Sequence, residues 1–488
     1  MFPWHVVWWL LIWGLSCSVA YVDVPEVGFG DDDTDAASQA GSCIADSMLY
    51  TLLETTIVPR VVGLPTSAFH ADWPPTVYAN DGTHDWLMKS NWSLKTLVDE
   101  IGSVKAPLLR SDSPLLWLYD DNMKISTPEG VPRPHDVIEL SFSDIVKAIT
   151  GESNQVEPSE SKDGVQEWSA VEPDHYFHFH VPLQNLSKAL ARDTHNKDVV
   201  FGTWDSPKPP RIPEPYLTMS TAGTSSVLHY AEQFRFMAQS TGTTKALLFP
   251  PRALTSMYLF PYNHPHRFCS QLQTPPANLR NYPAAVQLRK RGVTSQEVTL
   301  EEGDALYVPP YWLIILTEIN TGVRIDLKQD APFQELVNRL LQRTVPELPK
   351  GFTLDQTISV GRHFLNALLR SLQRKMPQHR YPSVIHKHYK QRYERLTGVN
   401  TISLISIKVK RYCKEPMTLE TMPITSSNLM KLTRKAYERL EQLAEVMPLD
   451  TFEVVLGDYL DLVALQSVQG HHQSVAAFFS NCFAFTDV

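Results

Sequence analysis

Between residues 174 and 330 the chain runs in short apolar strands punctuated by Gly, Pro and turn residues. Strands of that length at that spacing predict an all-β barrel. Two separated pieces carry the pattern most clearly, residues 220–251 and residues 298–315, and are expected to pack face to face. Residues 174–181 supply a further strand with alternating His178 and His180. From about residue 331 the apolar period changes to three and four, predicting helices over 333–341, 353–372, 385–396, 427–446 and 451–468. Ahead of the barrel, helices are expected over 45–55, 91–101 and 142–149, with a shorter one over 186–192. In 91–101, Trp92, Leu94, Leu97 and Ile101 share a face, and Gly102 follows as a C-cap would. Proline-marked extended segments fall at 58–65 and 73–75. Residues 31–35 are an acidic lead-in, and 151–170, rich in Glu, Ser and Asp, read as an exposed loop. The expected organisation is 1–20 as a signal peptide, 21–57 as a lead-in, 58–330 as a mainly β jelly-roll domain with flanking helices, and 331–488 as a helical region.

Composition narrows the class. In 488 residues, 43% hydrophobic and 20% charged residues suit a folded chain with a large core. The net charge of −9 gives no global attraction to nucleic acid, which needs clustered cations. One basic run, 370–395, stands out against that balance; it is either a solvated helical face or a contact for an anionic glycan or acidic partner. No P-loop, GxSxG, HExxH or dinucleotide fingerprint is present.

The first twenty residues set an expectation for the compartment. Residues 6–13 form an apolar run too short to span a bilayer, and Ser18-Val-Ala20 offers a small–x–small cleavage site. The n-region carries His5 and no Lys or Arg, which leaves an uncleaved anchor as the alternative. No later stretch has the length of a membrane span, so secretion or residence in the endoplasmic reticulum lumen is expected. Cys43, Cys269, Cys413 and Cys482 then form an even set able to make two disulfides in any of three pairings. Asn91 and Asn185 open N-x-S sequons and are candidate glycosylation sites.

The candidate chemistry lies in the two barrel pieces. The first contains Ser226, His229, Ala231, Lys245 and Phe249-Pro-Pro251; the second contains Gly303-Asp304 and Pro310-Tyr-Trp312 followed by Ile314. Together they resemble the JmjC, or cupin-8-type, oxygenase family, and within it the asparaginyl hydroxylase type. Trp92-Ser93 ahead of an amphipathic helix is similar to that family as well. The resemblance implies a double-stranded β-helix in which a His-x-Asp pair and a distal His hold Fe(II), with 2-oxoglutarate alongside. It places the ligands at His229, Ala231 and Ile314, of which only His229 can ligate. Neighbouring Glu232 points to the opposite face of a strand. The resemblance places cosubstrate contacts at Ser226 and at Thr244 or its neighbour Lys245, and an acid at Asp326 in place of a cosubstrate-binding Asn. His264-Pro-His266 falls where the family has a structural loop.

Three readings follow. The first is a secretory pseudo-oxygenase that keeps the barrel as a scaffold for a protein or glycan partner, with His229 a remnant ligand and no cofactor. The second is an active Fe(II)/2-oxoglutarate protein hydroxylase with relocated ligands, for which His178 and His180 share a strand face with metal-like spacing. The third is a metal-free cupin holding a small molecule in an apolar pocket. C-terminal helices form the dimer interface in the resembled hydroxylases, which implies a homodimer here.

Overall fold

The computed structural model describes residues 53–62, 73–79, 92–126, 131, 133–151, 175–193, 213–273, 282–348, 351–375, 383–396, 404–415, 417–418, 421–422, 424–470 and 472–483. The expected signal peptide, the acidic lead-in, Cys43, Asn91 and most of the 151–170 loop lie outside them.

The strands are, in chain order, β1 (Glu54–Ile57), β2 (Arg60–Val62), β3 (Thr76–Ala79), β4 (Lys105–Ser111), β5 (Leu115–Leu116), β6 (Asp136–Ser141), β7 (Tyr176–Pro182), β8 (Glu214–Ser220), β9 (Ser225–Ser226), β10 (His229–Tyr230), β11 (Gln233–Thr241), β12 (Thr244–Phe249), β13 (Thr294–Leu300), β14 (Ala305–Val308), β15 (Leu313–Glu318) and β16 (Gly322–Asp330). They form two sheets. A seven-stranded sheet runs β1-β13-β12-β15-β9-β5, with β10 also on β15. A nine-stranded sheet runs β2-β3-β14-β11-β16-β8-β7-β4-β6. The two sequence pieces therefore do more than face one another. They are hydrogen-bonded side by side in both sheets, β9 and β10 against β15 in one and β11 against β14 in the other.

Alternation along each strand explains the layering. On β16, Val323, Ile325 and Leu327 face outward and join Phe234, Phe236, Leu217 and Phe179 in the large core beneath the helices. The opposite face of the same strands looks into the space between the sheets. There Met237, Leu306 and Val308 meet Leu248, Val298, Ile314 and Leu316 in a small apolar cluster. The rest of that inner space is polar and contains the candidate site. At one end the β11–β12 and β15–β16 turns touch: Gly242 has φ +77, and a Cβ there would sit 2.7 Å from the Gly322 Cα.

Helices α1 (Leu94–Ile101), α2 (Phe142–Thr150), α3 (Leu183–Leu186) and α4 (Lys188–Asp193) flank the nine-stranded sheet, and α5 (Pro283–Lys290) precedes β13. Ser93 and Ser141 cap α1 and α2 by accepting backbone N–H bonds. The helical region comprises α6 (Gln334–Arg343), α7 (Leu354–Lys375), α8 (Ser383–Arg392), α9 (Leu404–Lys414), α10 (Ser426–Val446), α11 (Leu449–Ser467) and α12 (His472–Cys482). Helix α11 is buried on nearly all sides and serves as the centre of this bundle. No helix among the described residues is long and apolar enough to cross a membrane.

Several expectations change. Residues 45–52 of the helix expected over 45–55 lie outside the described residues, and Glu54 and Thr55 are strand: β1 pairs in parallel with β13 and joins Thr55 Oγ1 to Ser295 Oγ at 2.9 Å. The sheet thus begins before residue 58. Cys413 and Cys482 form a disulfide, whereas Cys269 is a buried free thiol pushed up to about 12 by burial. Helices α5, α9 and α12 have no counterpart among the expected elements.

A buried carboxylate, Asp461, ties the helical region to the loop after β12 that carries Tyr262 and Asn263. Asp461 of α11 accepts from Tyr262 N (2.8 Å), His388 Nε2 (2.6 Å), Arg392 Nη1 (2.9 Å) and Tyr393 OH (2.7 Å). Its main-chain carbonyl accepts from Asn263 at 3.2 Å, and Arg392 also pairs with Asp458 at 2.6 Å. Burial opposes ionisation of Asp461, but His388 and Arg392 outweigh it and hold the carboxyl down to about 2. The loop containing His264 and His266 is part of this support. His264 stacks on Phe260 at 4.4 Å, and His266 Nδ1 lies 2.7 Å from the Leu118 carbonyl, so both act in packing.

Candidate functional site

His229 sits on β10, directly opposite Ile314 of β15 in antiparallel register. The first and third ligand positions expected from the sequence are thus cross-strand neighbours. His229 is 3% exposed and its hydrogen bonds fix its tautomer. Nδ1 lies 2.8 Å from the Val227 carbonyl, which can only accept, so Nδ1 carries the proton. Nε2 therefore presents its lone pair, and Arg235 Nη1 donates to it at 3.1 Å. Burial, then the Arg235 charge, pushes the imidazole down to about 3.

The other two ligand positions bring no donor side chain. Ala231 offers its carbonyl to Tyr311 N at 2.8 Å, and Tyr311 takes φ 64 to make that contact. Ile314 is 1% exposed and belongs to the apolar cluster between the sheets. Glu232 turns the other way and accepts from Gln334 of α6 at 2.9 Å; burial, then Asp458, raises it to about 7. Among the described residues no group of three or more His, Cys, Asp or Glu side chains converges as a metal site.

The expected cosubstrate contacts separate. Ser226 Oγ accepts from Leu316 N at 2.9 Å and is part of the sheet. Lys245 stands on the outer face of β12 and pairs with Glu297 at 3.0 Å. Its neighbour Thr244 faces inward and donates to Glu318 at 2.6 Å. Lys245 is therefore corrected from a pocket residue to an outward ion pair, because a one-residue step along a strand reverses the face. Asn185 lies exposed on α3.

What fills the inner space instead is a charge network, drawn together by β7, β8, β11, β15 and β16. Arg324 donates to Asp326 Oδ1 (2.9 Å) and to Glu318 Oε1 (2.9 Å), bridging the two sheets. Thr218 donates to Asp326 Oδ2 at 3.0 Å, so it accepts from His180 Nδ1 at 2.7 Å. His180 Nε2 in turn accepts from Lys328 Nζ at 2.6 Å. His178 lies 2.8 Å from Ser220 Oγ. The rings of His178 and His180 stack with centroids 6.1 Å apart, and His180 stacks on Tyr216 at 4.8 Å. Burial pushes His178 down to about 3 and His180 well below its ordinary value. Burial opposes ionisation of Asp326 too, but Arg324, His180, Lys328 and Arg235 hold it at about 2. The acid expected to repel a dicarboxylate is therefore already neutralised.

Two cations near Asp326 make no direct ion pair with a carboxylate among the described residues. Arg235 and Lys328 are cross-strand neighbours on β11 and β16. Among the described residues Arg235 bonds to His229 alone, and its buried Nε has no partner. Lys328 bonds to His180 and lies 4.2 Å over the Tyr216 ring. Burial, then the Arg235 charge, lowers Lys328 to about 8. Like charges set directly opposite on a sheet are destabilising. Sequence reading missed Arg235, although its place six residues after His229, on the strand leaving the motif, was a usable signal.

Comparison with known proteins agrees with this architecture. The lysine-specific demethylase JMJ31 of Arabidopsis thaliana is 33% identical to the chain over 94 residues. That stretch covers 19% of this chain and 17% of the plant protein, so the likeness concerns a small part of that relative. The family model for the cupin-like domain matches residues 67–314, ending at the third expected ligand position. Matched over about half of its length, and with a two-sheet β fold to correspond, the chain belongs to the family of cupin-like domain proteins.

Proposed function

We propose that this chain is a secretory-pathway cupin-like protein in which the barrel serves binding rather than Fe(II)/2-oxoglutarate oxidation. The observation that carries the reading is the Arg235 guanidinium on His229 Nε2 at 3.1 Å. That nitrogen holds the lone pair an iron ion would need, and a cation already stands at it. A facial site takes two imidazoles and a carboxylate, whereas Ala231 and Ile314 contribute a methyl group and a buried aliphatic chain. The donor set around His229 does not fit Fe(II), and no step is derived through it. His178 and His180 do not repair the set, because their Nδ1 atoms are engaged by Ser220 and Thr218 and Lys328 occupies the His180 Nε2.

If the space between the sheets holds a small molecule, as in the third reading, the same geometry favours an anion over an apolar ligand. Arg235 and Lys328, side by side and without a direct carboxylate pair among the described residues, suit a small anion. The Cys413–Cys482 disulfide supports an oxidising compartment, in line with the short apolar run at residues 6–13.

The test is metal analysis and turnover on protein purified from a secretory host and reconstituted anaerobically with Fe(II) and 2-oxoglutarate. The expected result is iron well below stoichiometry and no succinate. In metal-free buffer, sulfate or 2-oxoglutarate then raises the melting temperature of wild type and not of Arg235→Met/Lys328→Met. Stoichiometric iron with succinate release overturns the reading and favours the hydroxylase with relocated ligands.

A further inference from the structure

The basic run at 370–395 is not one surface. Arg392 is buried against Asp458 and Asp461, Lys387 pairs with Glu453 at 2.7 Å, and Arg395 lies 4.4 Å over the Tyr258 ring. Among the described residues Arg370, Arg374 and Lys390 are exposed with no partner, and of these the two arginines share helix α7. They stand one turn apart on α7, at the edge of a groove between α7 and α10 with a volume of about 830 Å³.

The groove has a consistent composition. Its apolar lining includes Ala367 and Leu429, and Met430 is 72% exposed at its side. Its charged lining is Arg370, Arg374 and Arg434, with no Asp or Glu among the lining residues. Among the described residues the only ion pair of the three is Arg434 with Glu438, an exposed pair on one helix turn at 2.8 Å. Such a pair is worth a few tenths of a kcal/mol and yields readily to a better partner. The lining spans residues 363–374 of α7, so the groove is about 16 Å long, some three helical turns.

We propose that this groove docks a short acidic amphipathic segment of a partner protein, with aliphatic anchors on the apolar lining and carboxylates against Arg370, Arg374 and Arg434. Charge complementarity chooses the occupant. In a chain of net charge −9, a groove lined by three arginines and no acid is a local exception. A second copy of this chain is disfavoured, because an isologous contact would set the same arginines against themselves. A sulfated glycan would use the arginines and leave the apolar lining and Met430 wet. A helix laid in the groove uses both, in the usual helix-in-groove manner.

The probe is a fluorescein-labelled synthetic peptide of about eleven residues, long enough for three turns, with Leu on one face and Glu flanking it. Anisotropy titrations on the full-length protein compare it with the same peptide carrying Lys for Glu, and with a heparin oligosaccharide. The expected result is saturable binding of the Glu peptide, weakened by added salt and about tenfold by Arg370→Glu/Arg374→Glu. Met430→Ser should weaken it too, and the Lys peptide should not bind. Unchanged circular dichroism checks that these exposed variants fold. Absence of Glu-peptide binding overturns the proposal, as does binding that ignores the double reversal. Heparin binding that is insensitive to Met430→Ser, with no peptide binding, assigns the arginines to a glycan. A concentration-dependent dimer lost in Met430→Ser assigns the groove to a second copy.

Discussion

His229→Asn should make the protein less sensitive to acid than wild type. His229 is neutral in the fold, with its proton on Nδ1 and Arg235 donating to Nε2, and its pKa is depressed from 6.5 to about 3. A depressed folded value means that stability is present in full above pH 6.5 and is lost as pH falls towards 3, because only the unfolded chain takes the proton. At about 1.4 kcal/mol for each pH unit below 6.5, the cost of His229 at pH 5 is about 2 kcal/mol relative to pH 7. His178 and His180 contribute in the same direction. Glu232, raised to about 7, contributes in the opposite one, since it binds its proton in the folded state first. The overall pH curve therefore mixes signs, and the difference between wild type and variant isolates His229. Urea unfolding at pH 7 and pH 5, followed by tryptophan fluorescence, measures it. The gap between wild type and His229→Asn should shift by about 2 kcal/mol in favour of the variant on acidification. Parallel losses in the two proteins would mean that His229 is charged in the fold at pH 5. The Arg235 contact would then be refuted, and with it the main support for a metal-free barrel.

Two further predictions concern the helical region. Asp461→Ala removes the acceptor of four side-chain and main-chain donors and leaves Arg392 one carboxylate, Asp458, which should cost about 3–5 kcal/mol. Urea midpoints measure it, and Asp461→Asn should lie between the two; a loss below 1 kcal/mol, roughly a surface pair's worth, contradicts the anchoring role. The Cys413–Cys482 disulfide closes a loop 69 residues long, so the Cys413→Ala/Cys482→Ala variant should lose about 4 kcal/mol, read as a lower melting temperature. An unchanged transition would place the stability of α9 and α12 elsewhere.

The amino-acid sequence alone determined the local features. Alternation and turn residues placed β7 and marked 220–251 and 298–315 as strand-bearing, and the three-four period placed α6, α7, α8, α10 and α11 close to their observed bounds. The residues at the expected ligand positions, His229, Ala231 and Ile314, could be read directly, and alternation already suggested that Lys245 faces outward. Helix α9 escaped because Leu404-Ile-Ser-Ile-Lys-Val-Lys410 alternates like a strand. It is helical because it packs on α12, to which Cys413 is bonded, and tertiary contact overrides so weak a propensity. Only the tertiary structure decided what stands against His229. A period of two gives each strand two faces; it does not say which face turns inward or which charges meet across strands distant in sequence. Register does that, by setting His229 beside Ile314 and Arg235 beside Lys328. The same holds for Asp461 and the basic run. Sequence shows a carboxylate in an apolar helix and a string of cations. Burial selects which cations must be paired, because an uncompensated charge is costly in the interior and cheap at the surface, and so leaves Arg370 and Arg374 for solvent or a partner.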